Sequence, residues 1–76
     1  MGTSSSKESY KQSIDSLQKQ IKDLQARIAS LQEASKRTTD KNTKASNKRQ
    51  IENARAEIKK RRESIARYRE SIRSMK

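Results

Sequence analysis

The chain has 76 residues, enough for one domain at most, and its 20 basic and 9 acidic side chains give a net charge of +11. Hydrophobic residues make up 28% of it and charged residues 38%, which is typical of either a disordered chain or an assembly of long helices. Cys, His, Trp, Phe and Pro are all missing, so disulfide, thiolate and imidazole chemistry are excluded.

The composition also narrows the classes of function. Purely apolar runs are no longer than two residues, so we expect neither a transmembrane helix nor a signal peptide. The sequence offers no paired carboxylates and no glycine-rich phosphate loop, and a rod of helices has no pocket. We therefore predict no enzyme activity, catalytic residue, cofactor, metal site or small-molecule substrate. The compartment stays open, with an intracellular location as the default.

Residues 1–5 are small and polar, and we predict a flexible tail there, followed by a single helical domain over residues 6–76. Ser5 and Glu8 match the S-x-x-E capping box, which places Ser5 at the start of the first helix. That helix is expected to run to about residue 37. Its length would be roughly 45–50 Å at about 1.5 Å per residue.

The first helix carries an unbroken heptad pattern. Its large apolar residues follow one another at alternating steps of four and three, with isoleucine at position a and Tyr or Leu at position d. This pattern is typical of a coiled coil. The residues of the first-helix seam are Tyr10, Ile14, Leu17, Ile21, Leu24, Ile28 and Leu31.

Residues 38–47 hold no large apolar side chain and are rich in Thr, Asp, Asn and Ser, which favour turns and helix caps. We predict a polar turn near residues 39–43. Asn47 and Gln50 repeat the capping-box pattern, so the second helix is expected over about 47–75. The seam residues of that helix are Ile51, Ile58, Ile65, Tyr68 and Ile72.

The two heptad patterns differ in phase by two residues, about 200° of helix rotation, so one continuous helix would not keep both seams on one side. A turn removes the conflict and predicts an all-α fold, a two-helix antiparallel coiled-coil hairpin. Its best register pairs residues whose numbers sum to 82, so that Leu31 faces Ile51 and Tyr10 faces Ile72. The alternative is a parallel dimer through the first helix, because Ile at a and Leu at d favour two parallel strands.

One face beside the seam is unusually basic. Position e holds Lys or Arg throughout the second helix and mostly Gln in the first, with no carboxylate in either column. Ordinary coiled coils place opposite charges at such positions. We call this face the basic flank, and its predicted ladder of bases is Lys11, Lys48, Arg55, Arg62, Arg69 and Lys76.

The opposite face, formed by position g, is here called the polar flank. One ion pair is expected on it, between Arg27 and Glu57, and the small residues elsewhere on it would suit the docking of another helix. Arg61 stands at a seam position d. Either its alkyl stem covers the seam while its head group reaches water, or it sets the register or anchors a partner's carboxylate.

Two helices that meet along a narrow a/d stripe bury little apolar surface. We therefore expect the hairpin to assemble further, either with copies of itself or with a partner. The predicted function is a non-enzymatic interaction or assembly module with an anionic partner. The alternative is sequence-nonspecific nucleic-acid binding by the basic ladder, as in a ribonucleoprotein. Membrane insertion is not expected because the bulky residues are committed to the seam.

The outline of a small helical hairpin also resembles the accessory partners of type VII secretion substrates. The W-x-G turn of those proteins is missing here, since the chain has no Trp. An accessory or chaperone role in secretion is therefore the weaker alternative.

Overall fold

The computed structural model describes residues 5–75 and gives the side chains from Lys7 onward. Most of the predicted tail over residues 1–5 lies outside this range, as does Lys76 of the predicted ladder. Ser5 is the first residue of the first helix, and the capping contact predicted for its side chain also lies outside the described part.

Two helices account for nearly all of the described chain. Helix α1 spans Ser5–Arg37 and helix α2 spans Lys41–Ser74. They pack against each other along a rod of 59 × 18 × 12 Å. Tyr10 near the start of α1 meets Tyr68 near the end of α2, so the helices are antiparallel. The predicted all-α helical hairpin is thus confirmed.

The connection between the helices is shorter than predicted, because α2 begins at Lys41 and not near residue 47. Asp40 is the N-cap, and its carboxylate accepts hydrogen bonds from the backbone N–H of Thr43 at 3.2 Å and from the Thr43 hydroxyl at 2.6 Å. The Thr38 hydroxyl accepts from the Asp40 N–H at 3.2 Å, and the Thr38 N–H donates to the Ala34 carbonyl at 3.2 Å. These bonds satisfy several of the polar groups at the helix ends and stabilise a tight turn without Gly or Pro.

Asn47 was predicted to cap α2, and this prediction was wrong. It lies inside the helix, is only 8% exposed, and donates from Nδ2 to the hydroxyl of Ser35 at 3.1 Å. The two residue numbers sum to 82, so this bond has the register that the heptad patterns favour. At the far end, the Met75 N–H donates to the Ile72 carbonyl as α2 ends.

The core is a single narrow row. Ile14, Ile21, Ile58 and Ile65 are buried at 7–9% exposure, with Ala54 at 5% beside them. Half-buried side chains pack against this row: Leu17, Leu24, Ile28, Tyr68 and Ile72. No side chain among those described falls below 2% exposure. Neither helix, over the same residues, is long and apolar enough to cross a membrane.

The cap at Asp40 makes the hairpin sensitive to acid. Hydrogen bonds from the Thr43 hydroxyl and backbone N–H lower the pKa of Asp40. Since the folded pKa is below the unfolded one, the cap contributes fully above the unfolded pKa and is lost as pH falls through the folded pKa. We expect Asp40→Ala to lower Tm by several degrees at neutral pH, whereas Asp40→Asn keeps it, because Asn caps as well as Asp.

Below the folded pKa of Asp40, wild type should lose this contribution and Asp40→Asn should retain it. Thermal unfolding followed by circular dichroism at neutral and acid pH measures both effects. If Tm fell by the same amount in wild type and Asp40→Asn on acidification, the assigned role of the Asp40 carboxylate as an acid-sensitive cap would be contradicted.

Because the core is thin, we predict that truncating one buried isoleucine is enough to unfold the hairpin. Ile58→Ala should cost about 2–5 kcal/mol, comparable to the whole stability of a two-helix domain. We expect this variant to lose most of its helical circular dichroism at room temperature. Ile72→Ala, at a half-buried position near the end of the seam, is the matched control and should stay folded.

Candidate interaction surface

The seam divides the surface of the hairpin into two unlike flanks. Around a helix, position a adjoins e and position d adjoins g. The basic flank is therefore floored by the a residues and the polar flank by the d residues. The a residues are isoleucines along most of the rod, with Ser35 and Lys44 at the end near the turn. In α2 the d column includes Asn47, Ala54 and Arg61, so the two floors differ in chemistry.

The structure places the described ladder residues on the surface. Lys11, Lys48, Arg55, Arg62 and Arg69 are all exposed. Ion pairs within 4.0 Å occur between Arg37 and Glu33, Arg61 and Glu57, and Arg73 and Glu70. Within residues 7–75, none of these five bases takes part in an ion pair or a side-chain hydrogen bond.

A shallow groove follows the basic flank along the rod. Three stretches of it lie end to end, with Arg62 lining the first and second and Arg55 lining the second and third. Its floor is formed by Ile21, Ile28, Ile51, Ile58 and Ile65. The flank thus combines an apolar floor with a basic rim.

The rim is less purely basic than the e columns alone predict. Two carboxylates outside the e columns also line the groove: Asp15 at position b and Glu63 at position f. Nine bases stand against these two carboxylates, so the groove keeps a large excess of positive charge. The nine are Lys19, Lys22, Lys36, Lys44, Lys48, Arg55, Lys59, Arg62 and Arg69.

The polar flank is bridged by hydrogen bonds between the helices. Arg61 donates from Nε to Gln20 Oε1 at 2.8 Å, and Arg27 donates from Nη2 to Gln50 Oε1 at 3.4 Å. Arg61 also binds both the carbonyl and the carboxylate of Glu57 through Nη1. These side chains span the middle of the flank. A small pocket beside them still reaches the seam at Leu24 and Ala54, so access to the seam is narrowed there but not blocked.

The prediction of an ion pair between Arg27 and Glu57 was wrong, since the two side chains form no such pair in the structure. Glu57 pairs instead with Arg61, four residues later on the same helix. The side chain of Arg61 is 27% exposed, and its head group is engaged within the chain. The hydrogen bond from Arg61 and its positive charge lower the pKa of Glu57.

The pair of Ser35 and Asn47 was missed because neither residue is apolar. Both nevertheless fall on the heptads of the seam when the patterns are extended by one step, Ser35 at a and Asn47 at d. Buried polar atoms need partners, so two hydrogen-bonding residues facing each other at adjacent seam positions could have been recognised. Among the described side chains, no buried polar atom lacks a partner.

The two aromatic side chains of the protein pack against each other. The rings of Tyr10 and Tyr68 have centroids 5.5 Å apart at a tilt of 33°, and both residues are half-buried. Over residues 5–75, no group of three or more acidic side chains is placed to hold a metal ion.

Comparison with known proteins gives no match: no family model, curated protein or solved structure matches this chain. Its function must therefore be argued from the chemistry of the two flanks.

The pKa of Glu57 tests the arrangement of the polar flank. We expect Arg61→Gln to raise this pKa toward the ordinary value for Glu, because the variant removes the hydrogen bond and the charge that lower it. Arg27→Gln, the matched control, should leave it unchanged. Side-chain carboxyl shifts followed by NMR through an acid titration measure the effect. A response to Arg27→Gln alone would support the interhelical pair that the structure does not show.

Proposed function

We propose that the protein is a non-enzymatic interaction module that docks on an acidic surface of a partner protein through its basic flank. The observation that carries this proposal is the difference between the flanks. The bases of the polar flank are engaged within the hairpin, whereas those of the basic flank are exposed and free of ion pairs among the described residues. A row of excess positive charge suits recognition of an anionic surface.

The thin core supports a role in a larger assembly. Of the residues whose side chains the structure describes, Ala54 is the most buried, at 5% exposure, and the buried isoleucines form one row. Ordering the backbone costs about 1–2 kcal/mol per residue, which a two-helix seam offsets only narrowly. A partner that binds the folded hairpin would stabilise it by mass action.

Self-association through the basic flank is disfavoured. Two copies, each with a net charge of +11, would place like charges against each other along the whole groove. Assembly through this face therefore calls for a partner of opposite charge.

Sequence-nonspecific nucleic-acid binding is the second candidate, favoured by the same exposed row of bases. Phosphate contacts would make it steeply dependent on salt. Against it, Tyr10 and Tyr68 pack on each other and offer no open ring for base stacking.

A charge-matched pair of variants tests the docking surface. Arg55→Gln, Arg62→Gln and Arg69→Gln together remove three bases from the basic flank. The control triple, Arg49→Gln, Lys60→Gln and Arg67→Gln, removes three exposed bases from the outer face of α2, away from the grooves. The probes are a labelled poly-glutamate peptide and a labelled RNA duplex, with binding measured by fluorescence anisotropy at low salt.

We expect the first triple to weaken poly-glutamate binding about tenfold, while the control weakens it much less. Equal losses in the two triples would show that only net charge matters and would overturn the proposed surface. Binding of the RNA duplex tighter than that of the peptide, lost with the same triple, would favour the second candidate.

A further inference from the structure

We infer that the partner segment bound by the basic flank is an acidic amphipathic α-helix, which lies in the groove and completes a three-helix bundle. This inference rests on the proposed function and adds the shape of the ligand. Its basis is that the flank has an apolar floor as well as a basic rim, and each part imposes its own requirement on the occupant.

The length of the groove fits a helix. Its lining residues on α1 run from Asp15 to Lys36. At 1.5 Å per residue these span about 30 Å, the length of a helix of about three heptads. Because the groove runs between two nearly parallel rods, a third rod can follow it from end to end.

The floor calls for an apolar stripe. Five seam isoleucines line the bottom of the groove over its three stretches, and Ala66 lines the first two stretches. Ala66 is exposed and lacks a side chain beyond Cβ, so the wall of the groove is low at this point. A helix with apolar residues at i, i+3, i+4 and i+7 covers such a floor, as amphipathic helices do in other grooves.

The rim calls for acidic residues beside that stripe. Nine bases and two carboxylates flank the floor, and Gln18, Gln25 and Gln32 alternate with the bases. Glu or Asp next to the apolar stripe would meet Arg55, Arg62 and Arg69, and the amides can donate to the same carboxylates. The alkyl stems of the bases extend the apolar contact.

The same two features reject other occupants. A second copy of this chain would bring its own bases to the rim. An extended polyanion, such as a nucleic-acid strand, would satisfy the rim but leave the isoleucine floor uncovered. An acidic helix satisfies both parts of the flank.

Three synthetic peptides separate these outcomes. The first has three heptads with Leu at a and d and Glu at the flanking positions. The second has the same composition in scrambled order, and the third replaces Glu by Lys. We expect the first to bind at least about tenfold tighter than the second and to gain helical circular dichroism on binding, and the third not to bind.

Equal binding of the ordered and scrambled peptides would overturn the inference while leaving the proposed function intact, since charge alone would then explain docking. Failure of both acidic peptides and of poly-glutamate to bind would overturn both.

A steric variant tests the floor separately from the charge. Ala66→Gln places a longer, uncharged side chain at the groove wall and keeps good helix propensity. Ala56→Gln makes the same change at an exposed site of α2 that lines none of the groove stretches. Thermal unfolding confirms that both variants fold.

We expect Ala66→Gln to weaken the heptad peptide about tenfold and to leave poly-glutamate binding unchanged, with Ala56→Gln affecting neither. An unchanged affinity of Ala66→Gln for the heptad peptide would contradict docking in the groove.

Discussion

The packing of position-a isoleucines into a single row between the helices is the interaction on which the rest of the hairpin depends. Every isoleucine of the chain stands at position a, whereas the d column of α2 contains Asn47, Ala54 and Arg61. This unequal division makes the row of apolar contacts lean toward one side of the rod. The isoleucines floor the basic flank, and on the other side polar side chains bridge the helices. The unlike flanks are thus a direct consequence of how the heptads are filled.

Polar residues at seam positions give this thin core one register. Shifting the helices by one heptad would bring the buried amide of Asn47 against Ile28, or past the end of α1, and would separate it from Ser35. Arg61 would likewise lose Gln20. A buried polar group left without a partner costs about 1–3 kcal/mol, a large share of the stability of such a small domain. Apolar layers alone tolerate slippage, and the polar contacts penalise it.

The helices, their antiparallel packing and the burial of the seam isoleucines follow from heptad phase, because a two-residue offset cannot be accommodated in one helix. The start of α2 could not be predicted in this way. Asp40 and Asn47 are both good capping residues, and in the structure Asp40 caps while Asn47 bonds Ser35 across the seam, a tertiary contact that local sequence does not reveal. The partner of Glu57 was missed for a related reason. Arg61 is a fixed neighbour one turn along the same helix, whereas Arg27 must reach across the interface.

The two flanks differ in the availability of their side chains: those of the polar flank are engaged in hydrogen bonds within the hairpin, and the described bases of the basic flank are free to bind a partner. Chemical-shift mapping of arginine Nε–H and glutamine side-chain amide groups, during titration with the acidic heptad peptide, tests this most directly. We predict that Arg55, Arg62 and Arg69 shift, together with Gln18, Gln25 and Gln32. The side-chain signals of the polar flank should keep their chemical shifts: Gln20, Arg27, Gln50 and Arg61. Shifts spread evenly over both flanks, or confined to the polar flank, would contradict the account.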